Sequence, residues 1–203
     1  MVLVFCFIMC ACAKKPSGTA PQKGENTVVN KRETITLLYS TSDSFNPYES
    51  ITDQNRRITK LIFEPLVKID DNFNAVLCLA KEVKTEGTVC TVTLRSAQFS
   101  DGSILTADDV VYSFKAAKAS KSLYASHLYE IKNAQAIDSN TVVFNLAKSD
   151  PYAENLLSFP IFKAGSDKLT DEDSVKLVPI GCGRYIFNSD KTETNAPWGG
   201  TLI

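Results

Sequence analysis

A chain of 203 residues, 44% hydrophobic and 22% charged, with only 9 Gly and 8 Pro, has the composition of one globular domain, or one and part of a second, and excludes a disordered or collagenous polymer. Its 22 basic side chains are balanced by 23 acidic ones at a net charge of -1, which leaves no surplus positive field to hold nucleic acid. The single histidine, His127, and two methionines confined to Met1 and Met9 rule out a His-rich zinc site and a thioether copper site, and leave most hydrolase templates short of a base.

The first element, residues 1–12 (MVLVFCFIMCAC), carries no charge and gives way abruptly to the polar, turn-rich AKKPSGTAPQKGEN. A bilayer-spanning helix needs about 20 apolar residues, so a signal peptide is expected and not a permanent anchor. Met9-Cys10-Ala11-Cys12 resembles a bacterial lipobox, with small Ala11 before the cysteine that would receive diacylglycerol. An ordinary signal peptide, or a buried first strand with incidental cysteines, is the alternative. No Lys or Arg precedes the apolar run, so a translation start upstream is expected. Residues 13–32 have too little apolar content to offset their ordering entropy and are expected to form a tether with a reach of about 25 Å.

From Thr34 onward the pattern is mixed. Thr34–Ser40 is β-rich and feeds a turn-prone loop holding Asp43, Asn46 and Pro47. Ile58, Leu61, Ile62 and Leu66 recur at helical spacing behind Asp53, a residue suited to cap the first turn, and Pro65 marks the end, so a helix is expected over about 54–63. Strands are expected at Leu66–Ile69, Glu82–Thr85 and Thr88–Arg95, joined by turns at Asp70-Asp71 and Glu86-Gly87. Thr106-Ala-Asp-Asp109 is a capping box, and Val110, Phe114 and Ala117 behind it form one face of a helix over 106–118. Ile131–Ile137 and Thr141–Leu146 are further strands about the turn Asp138-Ser-Asn140, and Pro151 suits the first turn of a short helix reaching Leu157. Cys78, Cys90 and Cys182 are odd in number and widely spaced. A Cys78–Cys90 disulfide and buried free thiols both stay open.

The strongest local pattern is Phe99-Ser-Asp-Gly-Ser-Ile-Leu-Thr-Ala-Asp-Asp-Val-Val-Tyr-Ser113, a strand end, a tight turn at Asp101-Gly102 and a capped helix. It resembles the hallmark of the family 5 extracellular solute-binding proteins, the peptide- and nickel-binding receptors of ABC importers. Ser44-Phe-Asn-Pro47 and Phe63-Glu-Pro-Leu66 upstream, and Gly181-Cys-Gly-Arg-Tyr185 downstream, resemble further family stretches in the same order, although Cys182 stands where Thr or Asn is usual. The similarity covers about 33–190. It implies an α/β, mixed α+β fold of the periplasmic-binding-protein type II kind. Residues 33–63 and 181–203 would be a partial first lobe, and 64–180 a subdomain inserted into it. Because family members are two to three times longer, a fragment with the second lobe missing is expected, and such a half-site should hold peptide poorly by itself.

The resemblance also implies ligand contacts. Matching from Pro47 to Phe63 carries the segment beside the peptide onto Ile51, Thr52 and Asp53, whose backbone amides and carbonyls would pair with ligand as an added strand. Asp53 as a helix N-cap is the competing role. Tyr124-Ala-Ser126 resembles a stretch whose tyrosine lines the pocket, and a plain surface-helix tyrosine is the alternative. Arg184 and His127 show no spacing that suggests a site. No catalytic residue, metal or cofactor is expected. The implied partners are a peptide or other small solute, the permease subunits of an ABC importer, and a membrane reached through the lipid on Cys12. The protein would be a monomer on the outer side of the cytoplasmic membrane. An envelope interaction lipoprotein, or a non-binding relic of the same fold, is the second reading, with nickel, heme or sugar as further ligand classes. A secreted hydrolase lacks support, with no Gly-x-Ser-x-Gly and no His-Glu-x-x-His.

Overall fold

The computed structural model describes residues 34–188 and 198–202. The expected signal peptide, Cys12 and the tether lie outside the described residues. Strand β1 (Ile35–Ser40) ends in the loop 41–52, and α1 (Asp53–Ile62) follows. Asn55, fully buried, joins the two: its Oδ1 accepts the Ser40 N–H at 2.8 Å and its amide donates to the Ser40 carbonyl at 3.0 Å. A buried amide with both ends satisfied fixes the angle at which α1 leaves the strand. The cap falls on Thr52, one residue before the expected Asp53. Thr52 Oγ1 accepts the Asn55 N–H at 3.4 Å, which makes Asp53 the first helical residue.

Beyond α1 come two short antiparallel pairs. One joins β2 (Glu64–Pro65) to β9 (Pro160–Ile161), the other β3 (Val67–Ile69) to β4 (Ala75–Leu77). The main sheet is four-stranded and antiparallel, in the order β5 (Ala80–Glu86), β6 (Val89–Leu94), β8 (Thr141–Leu146), β7 (Ile131–Ala136). Alternation along β6 and β8 buries Cys90, Val92, Leu94, Val142, Phe144 and Leu146 on one face. Helix α2 (Ala107–Ala119) lays Val110, Phe114 and Ala117 on that face, with the Phe114 ring 5.8 Å from Phe144 and 6.1 Å from Phe159. Each such ring contributes about 1.5–3 kcal/mol by burial. The capping box holds the helix start: Asp109 Oδ2 accepts from both the N–H and the hydroxyl of Thr106 at 2.9 Å, and Oδ1 accepts the Ala164 N–H at 2.9 Å.

Helix α3 (Leu123–His127) follows α2, and Ala153–Leu157 forms a 3-10 turn where a short helix was expected. A three-stranded sheet pairs β1 with β11 (Trp198–Leu202) and β11 with β10 (Phe187–Asn188), all antiparallel. Sequence patterning missed β4, β11 and the two-residue strands β2, β9 and β10. The Gly181-Cys-Gly-Arg-Tyr185 stretch runs against the C-terminal end of α1, whose Ile62 carbonyl accepts the Gly183 N–H at 2.7 Å and whose Leu61 carbonyl accepts that of Tyr185 at 3.1 Å. A Cβ on Gly181 would lie 2.1 Å from the Ile62 oxygen, and one on Gly183 2.4 Å from the Leu61 oxygen, so only glycine admits the approach. Cys78, Cys90 and Cys182 are free. Cys78 Sγ donates to Glu64 at 3.4 Å, and Cys90 is packed in the sheet core, which settles the open disulfide question in favour of thiols.

Candidate functional site

The loop between β1 and α1 is organised around one carboxylate. Asp43 accepts hydrogen bonds from the Ser44 N–H (2.8 Å), the Ile51 N–H (3.1 Å), the Thr52 N–H (2.8 Å), the Thr52 hydroxyl (2.6 Å) and the Ser50 hydroxyl (3.2 Å). Burial pushes its carboxyl up, but the bonds from Thr52, Ile51 and Ser44 outweigh that and leave it below the ordinary value of 3.8. The Ile51 and Thr52 amides, expected to face a ligand as a free strand edge, are thus already engaged within the loop. Thr52 is spent twice over, as an Asp43 donor and as the cap of α1. Ile51 projects its side chain outward, 72% exposed.

Across from this loop stands α3. Tyr124, half-buried, meets the buried Tyr48 edge-on with ring centroids 5.7 Å apart, and the Tyr48 hydroxyl donates to the Pro160 carbonyl. Burial, and secondarily Tyr124, pushes the Tyr48 phenol well above its ordinary range, so it acts as a neutral strut. Burial likewise raises the Tyr124 phenol, an effect that Arg56 partly offsets.

Three adjoining clefts run along this junction. The first, about 560 Å³, is lined by residues including Asn46, Tyr48, Ile51, Arg56, Ser122 and Asp167. The second, about 360 Å³, shares Ser50, Arg56 and Ser122 with the first and adds Asp53, Arg57, Lys60, Tyr124 and His127. A third, about 400 Å³, shares Lys60, Tyr124 and His127 and continues over Val67 and Ile69. Asp53 and Tyr124 therefore face one cleft and Ile51 the next, whereas Thr52 lines neither. His127, for which the sequence offered no site, lines two of the three. Arg56, Lys60 and Tyr48 were also missed; a helix residue that reaches a cleft leaves no local signal to distinguish it from a solvated one.

The described residues hold no group of three or more His, Cys, Asp and Glu side chains that could bind a metal, and no helix long and apolar enough to cross a membrane. The family motifs serve the frame. Asp101 ties its own turn to Ser103 and reaches Lys163 at 2.6 Å, and those two partners hold its carboxyl far below the usual carboxylate range.

A model of the bacterial extracellular solute-binding proteins, family 5 (middle), matches residues 73–196. The chain belongs to this family. It is 32% identical over 169 residues to a dipeptide-binding protein of Lactococcus lactis, which covers 73% of the chain and 29% of that relative. It is 30% identical over 192 residues to the oligopeptide-binding protein AppA of Bacillus subtilis, covering 88% of the chain and 34% of AppA. The structure of AppA in complex with a nonapeptide matches with a TM-score of 0.59 at 26% identity, over 71% of the chain and 31% of AppA. The family 5 chain described here spans about a third of the length of the curated relatives it matches. Its mixed α/β architecture is that part of a type II periplasmic-binding-protein fold.

Proposed function

We propose that this family 5 protein captures peptides outside the cytoplasmic membrane and delivers them to the permease of an ABC importer, as a monomer held at the surface by a lipid on Cys12. The observation that carries the proposal is the cleft wall where the loop 41–52 and the first turns of α1 meet α3, a polar and aromatic surface in a family whose relatives are peptide-binding proteins. Because Asp43 already holds the Ile51 and Thr52 amides, peptide contact falls to the exposed Ile51 side chain, the Asp53 carboxylate and the Tyr124 ring, with the loop pre-ordered before ligand arrives. Thr52 keeps a supporting role, fixing Ile51 and Asp53 on either side of it. The chemistry is binding alone, with no nucleophile or base assigned.

An open wall leaves one side of a ligand in water, so the chain itself should bind on the order of millimolar, well short of an enclosed site. Titration of the ¹⁵N-labelled chain with mixed tri- to pentapeptides, followed by two-dimensional NMR, tests this. Saturable shifts concentrated at residues 50–53 and 122–127 are expected. Shifts absent, or scattered away from this wall, would overturn the reading.

A further inference from the structure

The second cleft carries a charge pattern that peptide capture by itself does not require. Arg56, Arg57, Lys60 and His127 line it, and Asp53 is the acid among the lining residues. Among the described residues none of these three permanent cations forms an ion pair, whereas six other Lys and Arg side chains do. Arg56 is held in place without being neutralised. Its Nε donates to the Ser50 carbonyl at 3.0 Å, which anchors the guanidinium and leaves its four terminal N–H donors with no acceptor among the described residues. A guanidinium fixed by one edge presents the planar fork that matches a carboxylate in two parallel hydrogen bonds. Tyr124, close enough to Arg56 for its phenol to sense that charge, adds a hydroxyl donor from α3.

We infer that this cleft is a carboxylate-accepting subsite, centred on Arg56 and flanked by Lys60 and Tyr124, which gives the ligand an acidic group at the position that lies against α1. The inference rests on the peptide reading for the identity of the ligand, but not for the charge of the subsite. A carboxylate can come from two sources, the peptide C-terminus or an acidic side chain, and both present the same pair of oxygens to the fork. Lys60, one helical turn on from Arg56 at the i, i+4 position, faces the same side and supplies a second, looser charge. Asp53, one turn before Arg56 on the same helix, is the single acid against three permanent cations in this lining, so the cleft keeps a net positive charge.

The test is an NMR titration of the full chain with two small probes, N-acetylglutamate and the carboxylate-free N-acetylglutamine amide, and three peptides: trialanine, trialanine amide, and Ala-Glu-Ala amide. N-acetylglutamate should shift the Arg56 side-chain Nε–H and the 122–127 amides, and N-acetylglutamine amide should not. At least one of the two carboxylate-bearing peptides should bind about fivefold tighter than trialanine amide, the size of a solvent-screened ion pair helped by a bidentate hydrogen bond. Which of the two does so identifies the source of the carboxylate. Arg56→Gln should abolish the preference and Arg56→Lys should retain part of it. Peptides that bind this wall with equal affinity whether or not they carry a carboxylate would overturn the subsite and leave the peptide reading standing. Selective binding of N-acetylglutamate with no binding by any peptide would do the reverse. Equal responses to the two small probes, or a preference that survives Arg56→Gln, would also overturn the subsite.

Discussion

Substituting Gly181 by Ala should destabilise this protein far more than a glycine replacement usually does, because the added methyl has nowhere to go. The new Cβ would sit 2.1 Å from the Ile62 oxygen, 2.8 Å from Phe63 Cδ1 and 3.0 Å from the Ile62 carbonyl carbon. Relief requires the 181–183 segment to move off the end of α1 by more than about 1 Å, since ordinary carbon–oxygen contacts begin well beyond 3 Å. That movement weakens three hydrogen bonds at once: Ser100 N–H to the Gly181 carbonyl (2.9 Å), Gly183 to Ile62 (2.7 Å) and Tyr185 to Leu61 (3.1 Å). At about 1 kcal/mol net each, with about 1–3 kcal/mol for overpacking, the loss comes to roughly 4–6 kcal/mol, a large share of a typical domain's stability. Gly87→Ala is the control. Gly87 has φ +58 and open space around it, so its substitution should cost only about 1 kcal/mol of backbone strain. Urea unfolding followed by near-ultraviolet circular dichroism compares the two. A Gly181→Ala midpoint no lower than that of Gly87→Ala would refute the claim that close approach to α1 demands this glycine.

Asp43→Ala removes the acceptor shared by Ser44, Ser50, Ile51 and Thr52 and should cost about 2 kcal/mol, with hydrogen exchange at the Ile51 and Thr52 amides rising by more than tenfold. The carboxyl is depressed in the fold, so its contribution is present above the ordinary value of 3.8 and disappears as pH falls through the lower folded value; the protection of these two amides, relative to their intrinsic exchange at each pH, should hold at pH 5 and fall only below 3.8. Thr106→Ala should lower stability by about 1 kcal/mol, and Asp109→Ala by roughly 2–3 kcal/mol, because the buried carboxylate serves Thr106 twice and Ala164 once. Equal urea midpoints for the two variants would contradict that division. Metabolic labelling with a fatty acid should mark the native chain and not Cys12→Ser, and equal label in both would remove the lipid anchor from the proposal; a version extended upstream, run in parallel, covers a start site placed too late.

The parts of this fold legible in sequence are those whose causes are local. The Asp101-Gly102 turn, the Thr106/Asp109 cap and the apolar face of α2 each lie within a few residues, and alternation along Thr141–Leu146 marks both ends of that strand. Where a distant group decides, local pattern fails. Thr52 and Asp53 are both good caps, and the choice goes to Thr52 because Asp43, nine residues back, holds its N–H and hydroxyl in place. The pairing of Glu64–Pro65 with Pro160–Ile161 has no periodicity to announce it, being two residues long on each side. The cleft was visible only in part for the same reason. Tyr124, Asp53 and Ile51 came from family resemblance, whereas Arg56, Lys60 and His127 become neighbours of one space only when α3 folds back against α1. The two glycines of the 181–185 stretch belong to both classes: the motif is local, but its cause, the carbonyl end of a helix more than a hundred residues earlier, is not.

The central claim is that peptide lies along the wall built by the loop 41–52, the first turns of α1 and α3, and photocrosslinking tests it most directly. A tetrapeptide carrying benzoylphenylalanine at its second position, irradiated with the full chain at millimolar concentration and mapped by mass spectrometry, should label residues within 50–56 and 122–127. Excess unlabelled peptide should suppress that label in proportion to its concentration. Labelling that falls mainly on the exposed β3–β4 hairpin or the outer face of the four-stranded sheet, or that excess peptide leaves unchanged, would contradict the account.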